Sequence, residues 1–172
     1  MDFEPRELAY ATLLPGATAI VGIGCYFRNN GCQQWFKNLK KPKWFAQTHE
    51  WALNNEQYAL PIALVNSTLQ LAPVVYATCR IFDFGGFRHK DTKMALYAYA
   101  VTNLFGLFVV VPMMHQGHLP GWFMSGTVYS ALQVCTSTMY YSVDQKAGLL
   151  LVPWAIATML GCVALHDICE LN

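Results

Sequence analysis

The sequence predicts an all-α integral membrane protein: one domain, a bundle of five transmembrane helices. Three observations carry this. Of 172 residues, 55% are hydrophobic and only 12% charged, against about 25% charged in an average soluble domain. The apolar residues fall into stretches near the 20 or so residues that cross a bilayer as helix, separated by short polar connections. One connection contains WFKNLKKPKW at 35–44, two tryptophans enclosing four lysines, which is the composition of a segment lying at a membrane surface.

Composition also excludes several classes. The net charge of +1 offers no bulk attraction to nucleic acid, so no nucleic-acid partner is expected. The six cysteines form no C-x-x-C pair and at least three fall within apolar runs, so they read as small buried hydrophobes rather than a zinc or disulfide framework. The opening MDFEPRE mixes acids with one Arg, unlike a secretory signal or a mitochondrial presequence. With no myristoylation start or prenylation box, membrane residence is expected from the spans themselves.

The first span is placed at about 8–27, which has no charged residue between Glu7 and Arg28. Pro15, Gly22 and Gly24 are tolerated in a spanning helix whose neighbours re-satisfy its backbone. Thr18 and Gly22 form a small-x-x-x-small pair that permits close helix approach. Residues 28–57 form a polar interfacial connection with Trp35, Trp44 and Trp51. Its lysines are positioned to reach anionic lipids, each worth about 1 kcal/mol near the surface. The second span, about 59–82, contains Pro73, where a kink is expected. Asn66-Ser67-Thr68 matches a glycosylation sequon but lies at membrane depth, out of reach of glycosylation. Gly85-Gly86 then makes a turn.

From Met94 to Val143 there is no Asp, Glu, Lys or Arg. This predicts two spans, about 94–114 and 121–141, joined by a turn containing His115 and His118. Two histidines without a third ligand read as a polar turn, and no metal or cofactor is expected. The fifth span is about 148–166, with Pro153 inside it. Five spans put the termini on opposite sides. The positive charges divide almost evenly between the two sides, so the positive-inside rule does not set the orientation.

The order of these spans and the 35–44 box resemble the translocator protein family, also called tryptophan-rich sensory protein or peripheral-type benzodiazepine receptor. That family's first loop carries an aromatic pair followed by Leu-x-Lys-Pro-x-Trp. Here the residues are Trp35-Phe36, then Leu39-Lys40-Lys41-Pro42-Lys43-Trp44. Pro15 with Gly22, Thr68-Leu69, Phe84-Gly85-Gly86-Phe87, Asn103, Gly121-Trp122, and Tyr141 with Pro153 are similar to further family positions. The chain departs from the pattern in several places. Residues 45–58 lack the family's prolines, and Asn66 and Gly106 stand where tryptophans are expected. Trp154 follows Pro153 directly, three residues before the expected Trp. The C-terminal sterol pattern is broken by His166 and Glu170.

The resemblance implies binding or transport of sterols, porphyrins or benzodiazepine-like drugs in an inter-helix cavity, a homodimer, and a mitochondrial outer membrane or bacterial envelope location. Expected ligand-binding residues are Trp122, Asn103, Tyr99, Tyr97 and Trp154. Aromatic faces would hold a flat ring, and Asn103 would orient it. Trp35, Lys41, Pro42 and Trp44 are assigned to a loop folded over the cavity mouth. Two other readings stand beside this one. The first is a porphyrin-degrading enzyme, for which the sequence shows no catalytic arrangement and no catalytic residue is named. The second is an assembly protein that docks other spans through Thr102-x-x-x-Gly106 and Gly126-x-x-x-Ser130.

Overall fold

The computed structural model describes residues 4–28, 30–46 and 56–172. Trp51, and the side chains of Cys25, Asn66 and Thr68, lie outside what is described. Within these residues the chain forms helices and no strand. They are α1 (Pro5–Arg28), α2 (Asn30–Asn38), α3 (Glu56–Asp83), α4 (Lys90–His115), α5 (Leu119–Val143) and α6 (Gln145–Leu171). The long connection is therefore more ordered than its polar composition suggests, holding α2 and a helical turn over 43–46. Pro5–Gly24, Lys90–His115 and Gln145–Leu171 are long and apolar enough to cross a membrane.

The helices close into a ring. α1 packs on α3, α3 on α6, α6 most extensively on α5, α5 on α4, and α4 back on α1. Thr18 and Gly22 both face α4: the Thr18 hydroxyl donates to the Asn103 carbonyl at 3.2 Å, and a Cβ on Gly22 would lie 3.6 Å from Val111. The predicted close approach therefore falls between α1 and α4.

The distribution of polarity is inverted relative to a water-soluble domain. Thr78, Thr102, Gln133 and Thr136 are buried, while Ile20 is 72% and Phe108 70% exposed. A bundle in lipid gains nothing by hiding leucines from its surroundings, so its helices associate through packing and polar contacts. Such contacts recur here. Thr102 and Thr136 share a hydrogen bond at 2.9 Å, and Thr78 and Tyr140 share one at 3.1 Å. Tyr99 donates to Ala11 at 2.6 Å, Tyr10 to Leu96 at 2.8 Å, and Ser137 to Gly148 at 2.9 Å. These hydroxyls lower the hydropathy of α5, which is nonetheless 25 residues long and central to the packing. Cys32 and Cys79 are buried as expected, but Cys135 is exposed on the outer face of α5.

Every long helix overruns its apolar stretch at both ends. Hydropathy locates the part that must avoid water, whereas capping decides where a helix stops. His118 begins α5 by accepting the Gly121 N–H on Nδ1 at 3.0 Å. Asp144 begins α6 by accepting the Ala147 N–H at 3.0 Å. The predicted connection at 142–147 thus shrinks to the single residue Asp144. That residue also accepts from Arg80 Nε at 2.5 Å, tying α3 to the α5–α6 turn, with side chains only 16% and 10% exposed. At the α3–α4 turn, Gly85 and Gly86 adopt φ of 122° and 52°, a conformation open to glycine at little steric cost.

One irregularity has no counterpart in the hydropathy pattern. Residues Gly106–Val110 of α4 form a π-helical turn. Pro112 follows it by two residues, and a proline inside a helix lacks a donor and crowds the carbonyl four residues earlier, here that of Phe108 within the turn. α3, by contrast, stays helical through Pro73.

Candidate functional site

Three small residues on α6, Ala157, Gly161 and Ala164, follow the i, i+4, i+7 rhythm of one helix face. They look toward Trp122 and Tyr129, which lie seven apart on α5. Small side chains opposite large rings leave space between the two helices, a cavity of 380 Å³. Ligand sites commonly occupy about 300–1,000 Å³. Val110, from the π-turn, lines a further side, and Phe36 and Phe45 from the long connection close the end. No charged residue lines it among those described. A larger space of 550 Å³ at the other end of the bundle is lined by Glu4, Arg6, Glu7, Asp83 and Arg88. Its charges do not suit an apolar guest.

The segment over the cavity is held by specific contacts. Trp35 tilts against Trp122 with ring centres 6.3 Å apart, and Phe36 meets the same ring edge-on at 6.0 Å. The Lys41 ammonium donates to the carbonyls of Phe36 at 2.6 Å, Leu39 at 3.1 Å and Lys37 at 3.2 Å, and sits 4.8 Å from the Phe36 ring centre. It thereby caps the C-terminal end of α2, where a cation is favoured, instead of reaching outward to lipid. Burial pushes this ammonium below its usual pKa. Pro42 opens the 43–46 turn by accepting the Ala46 N–H at 2.9 Å.

Two further bonds latch the segment to the end of α6. Trp44 Nε1 donates to Asp167 at 3.0 Å, and Asn172 exchanges two 2.9 Å bonds with the Lys40 backbone. Replacing Trp44 with Phe keeps an aromatic ring, smaller than the indole, and removes the bond to Asp167. A partly exposed hydrogen bond to a charged group contributes about 1 kcal/mol, so the variant is expected to lose about that much stability in denaturant unfolding in detergent.

The predicted site residues fall in three places. Trp122 lines the cavity. Trp154 stands behind it, edge-on to Tyr129 at 6.1 Å. Asn103 and Tyr99 share a face, as their spacing requires, but that face turns toward α1. Asn103 is 1% exposed and its Nδ2 donates to the Tyr99 carbonyl at 2.9 Å, while its Oδ1 has no partner among the described residues. Tyr99 is fully buried, and its hydroxyl is taken by Ala11. Tyr97 is 48% exposed on the outside, 5.6 Å from the Lys93 ammonium. Of the predicted residues only Trp122 lines this space; Trp35 and Trp154 touch rings of its wall, and Asn103, Tyr99 and Tyr97 lie away from the lining.

Sequence reasoning missed Tyr129, Thr158 and Gly161. The available signals were Tyr129 on the face of Trp122 and the small-residue rhythm of α6. Tyr129 also explains Gly106. A Cβ there would lie 2.9 Å from the Tyr129 ring, so this tyrosine fills the room that a Trp at 106 would need. Gly106→Leu is expected to overpack this contact, destabilising the fold by about 1–3 kcal/mol in denaturant unfolding in detergent.

These features define a helical integral membrane protein with an apolar cavity between two helices, roofed by an aromatic segment. The chain belongs to the TspO/MBR family, which it matches over residues 11–168, nearly its whole length. No curated protein and no solved structure matches it.

Proposed function

We propose that this protein binds flat hydrophobic molecules of the sterol or porphyrin kind in the α5–α6 cavity and carries them within the membrane. In this reading α1, α3, α4, α5 and α6 are the five spans, and the segment from Trp35 to Trp44 covers the ligand. The observation that carries it is the cavity itself: 380 Å³, walled by Trp122 and Tyr129, with no lining charge among the described residues. Apolar walls give affinity for ring systems through burial and stacking. The small-residue pairs that an assembly protein would present outward are occupied within the fold. Gly126 faces Cys162, where a Cβ on the glycine would lie 3.5 Å from the sulfur, and Ser130 contacts the same sulfur at 3.3 Å. Thr102 is bonded to Thr136.

Titration of the purified protein in detergent with protoporphyrin tests the proposal. Saturable quenching of tryptophan emission, reversed by excess sterol, is expected. A linear, non-saturating response to both would refute it.

A further inference from the structure

Two residues of the cavity wall, Tyr129 and Thr158, carry hydroxyls, and the amide of Gln133 stands behind them, outside the lining itself. Gln133 lies one helical turn beyond Tyr129 on the same face of α5 and is 1% exposed. Its Oε1 accepts from the Thr158 hydroxyl, and Thr158 lines the cavity. Its Nε2 is buried and has no hydrogen-bond partner among the described residues. Tyr129, one turn before Gln133, lines the same cavity as Thr158. A buried donor left unpaired is costly, and its natural complement is an acceptor brought by a ligand.

We infer that Gln133, with Tyr129 and Thr158 at the cavity wall, selects a ligand whose leading end is a neutral carbonyl. This rests on the proposed binding function and narrows it. This side of the cavity supplies donors, the Gln133 amide N–H and the Tyr129 O–H, and no cation. A ketone oxygen accepts from both without bringing charge. A carboxylate brought to this side would lose its hydration with no opposite charge to replace it, so an acid-bearing ring such as protoporphyrin enters with its carboxylates outward. A pure hydrocarbon leaves the amide unpaired. The chosen class is therefore a flat, uncharged polycyclic ketone or comparable carbonyl compound, entering carbonyl first.

Three probes built on one tricyclic frame compare a hydrocarbon, a carbonyl and a carboxylate: fluorene, fluoren-9-one and fluorene-9-carboxylate, each titrated calorimetrically into the full chain in detergent. Fluorenone is expected to bind about tenfold tighter than fluorene, the effect of one buried neutral hydrogen bond, with the carboxylate weakest. Gln133→Leu is expected to bring the ketone-to-hydrocarbon ratio within about twofold while fluorene affinity holds, because Thr158 keeps its 2.9 Å bond to the Ala155 carbonyl. Tyr129→Phe removes only a hydroxyl and is expected to reduce the ratio about threefold, which keeps the test decisive if the leucine variant does not fold. Equal binding of ketone and hydrocarbon by the unaltered protein, tightest binding of the carboxylate, or an unchanged ratio in the folded variants would overturn the inference alone. Saturable binding of none of the three would overturn the cavity-binding reading and this inference with it.

Discussion

Replacing Asp144 with alanine is expected to destabilise the folded protein by about 2–3 kcal/mol, the combined effect of breaking a partly buried ion pair and removing a helix cap. The residue has two roles at once. It accepts from Arg80 at 2.5 Å and from the Ala147 N–H at 3.0 Å, so its loss frees α3 from the α5–α6 turn and removes the cap of α6. Replacing both partners, Arg80→Met with Asp144→Leu, is expected to recover part of the loss, since no unpaired charge then remains while the α6 cap is still missing. Denaturant unfolding of the three variants in one detergent checks this. A loss below about 1 kcal/mol for Asp144→Ala would show a pair no stronger than an exposed one.

The same contact sets an acid limit. The Arg80 guanidinium beside Asp144, helped by the Ala147 N–H, holds its carboxyl below the usual range. The unfolded value is about 3.9. Stabilisation from this residue is therefore fully present above that value and is lost as pH falls through the lower folded value. Unfolding measured between neutral pH and about pH 2 should show an acid-labile component that is missing in the double variant.

Filling the cavity is expected to separate binding from folding. A Cβ on Gly161 would meet nothing within 4 Å, so the backbone accepts a larger residue without a clash at its root. Gly161→Phe would place a ring in the space that faces Trp122. Porphyrin affinity is expected to fall about 10–100-fold, the range set by 1–3 kcal/mol of steric conflict. Unfolding stability should hold or rise slightly, because glycine is a poor helix residue. Unchanged affinity in a folded Gly161→Phe protein would place the ligand elsewhere.

Much of this architecture was legible because bilayer thickness is a strong constraint on sequence. Long uncharged runs bounded by Arg28, Arg80 and Lys93 locate the helices to within a few residues, whatever their tertiary contacts. The box from Trp35 to Trp44 was legible for a related reason: each of its residue types has a distinct task there. Trp35 covers Trp122, Lys41 caps α2, and Trp44 reaches Asp167.

Other features depend on packing. Tyr97 and Tyr99 lie two apart on one helix, so they point to nearly opposite sides, and composition does not say which side is inward. Tyr99 and Asn103 do share a face, but the neighbour of that face is α1. The cavity wall on α6 consists of residues with little side chain, Ala157, Gly161 and Ala164. A search for aromatic and polar groups passes over them. The capping role of Asp144 and the π-turn before Pro112 both had local sequence signals, and hydropathy is blind to both.

The central claim is that ligand occupies the α5–α6 cavity beneath the Trp35–Trp44 segment. Photolabelling with a diazirine-bearing sterol, followed by peptide mapping, tests it most directly. Labels are expected on α5 between Trp122 and Tyr129 and on α6 between Ala157 and Ile168, removed by excess unlabelled sterol. Labelling confined to the outer groove around Leu8, Thr12 and Val75, or unaffected by competitor, would contradict it.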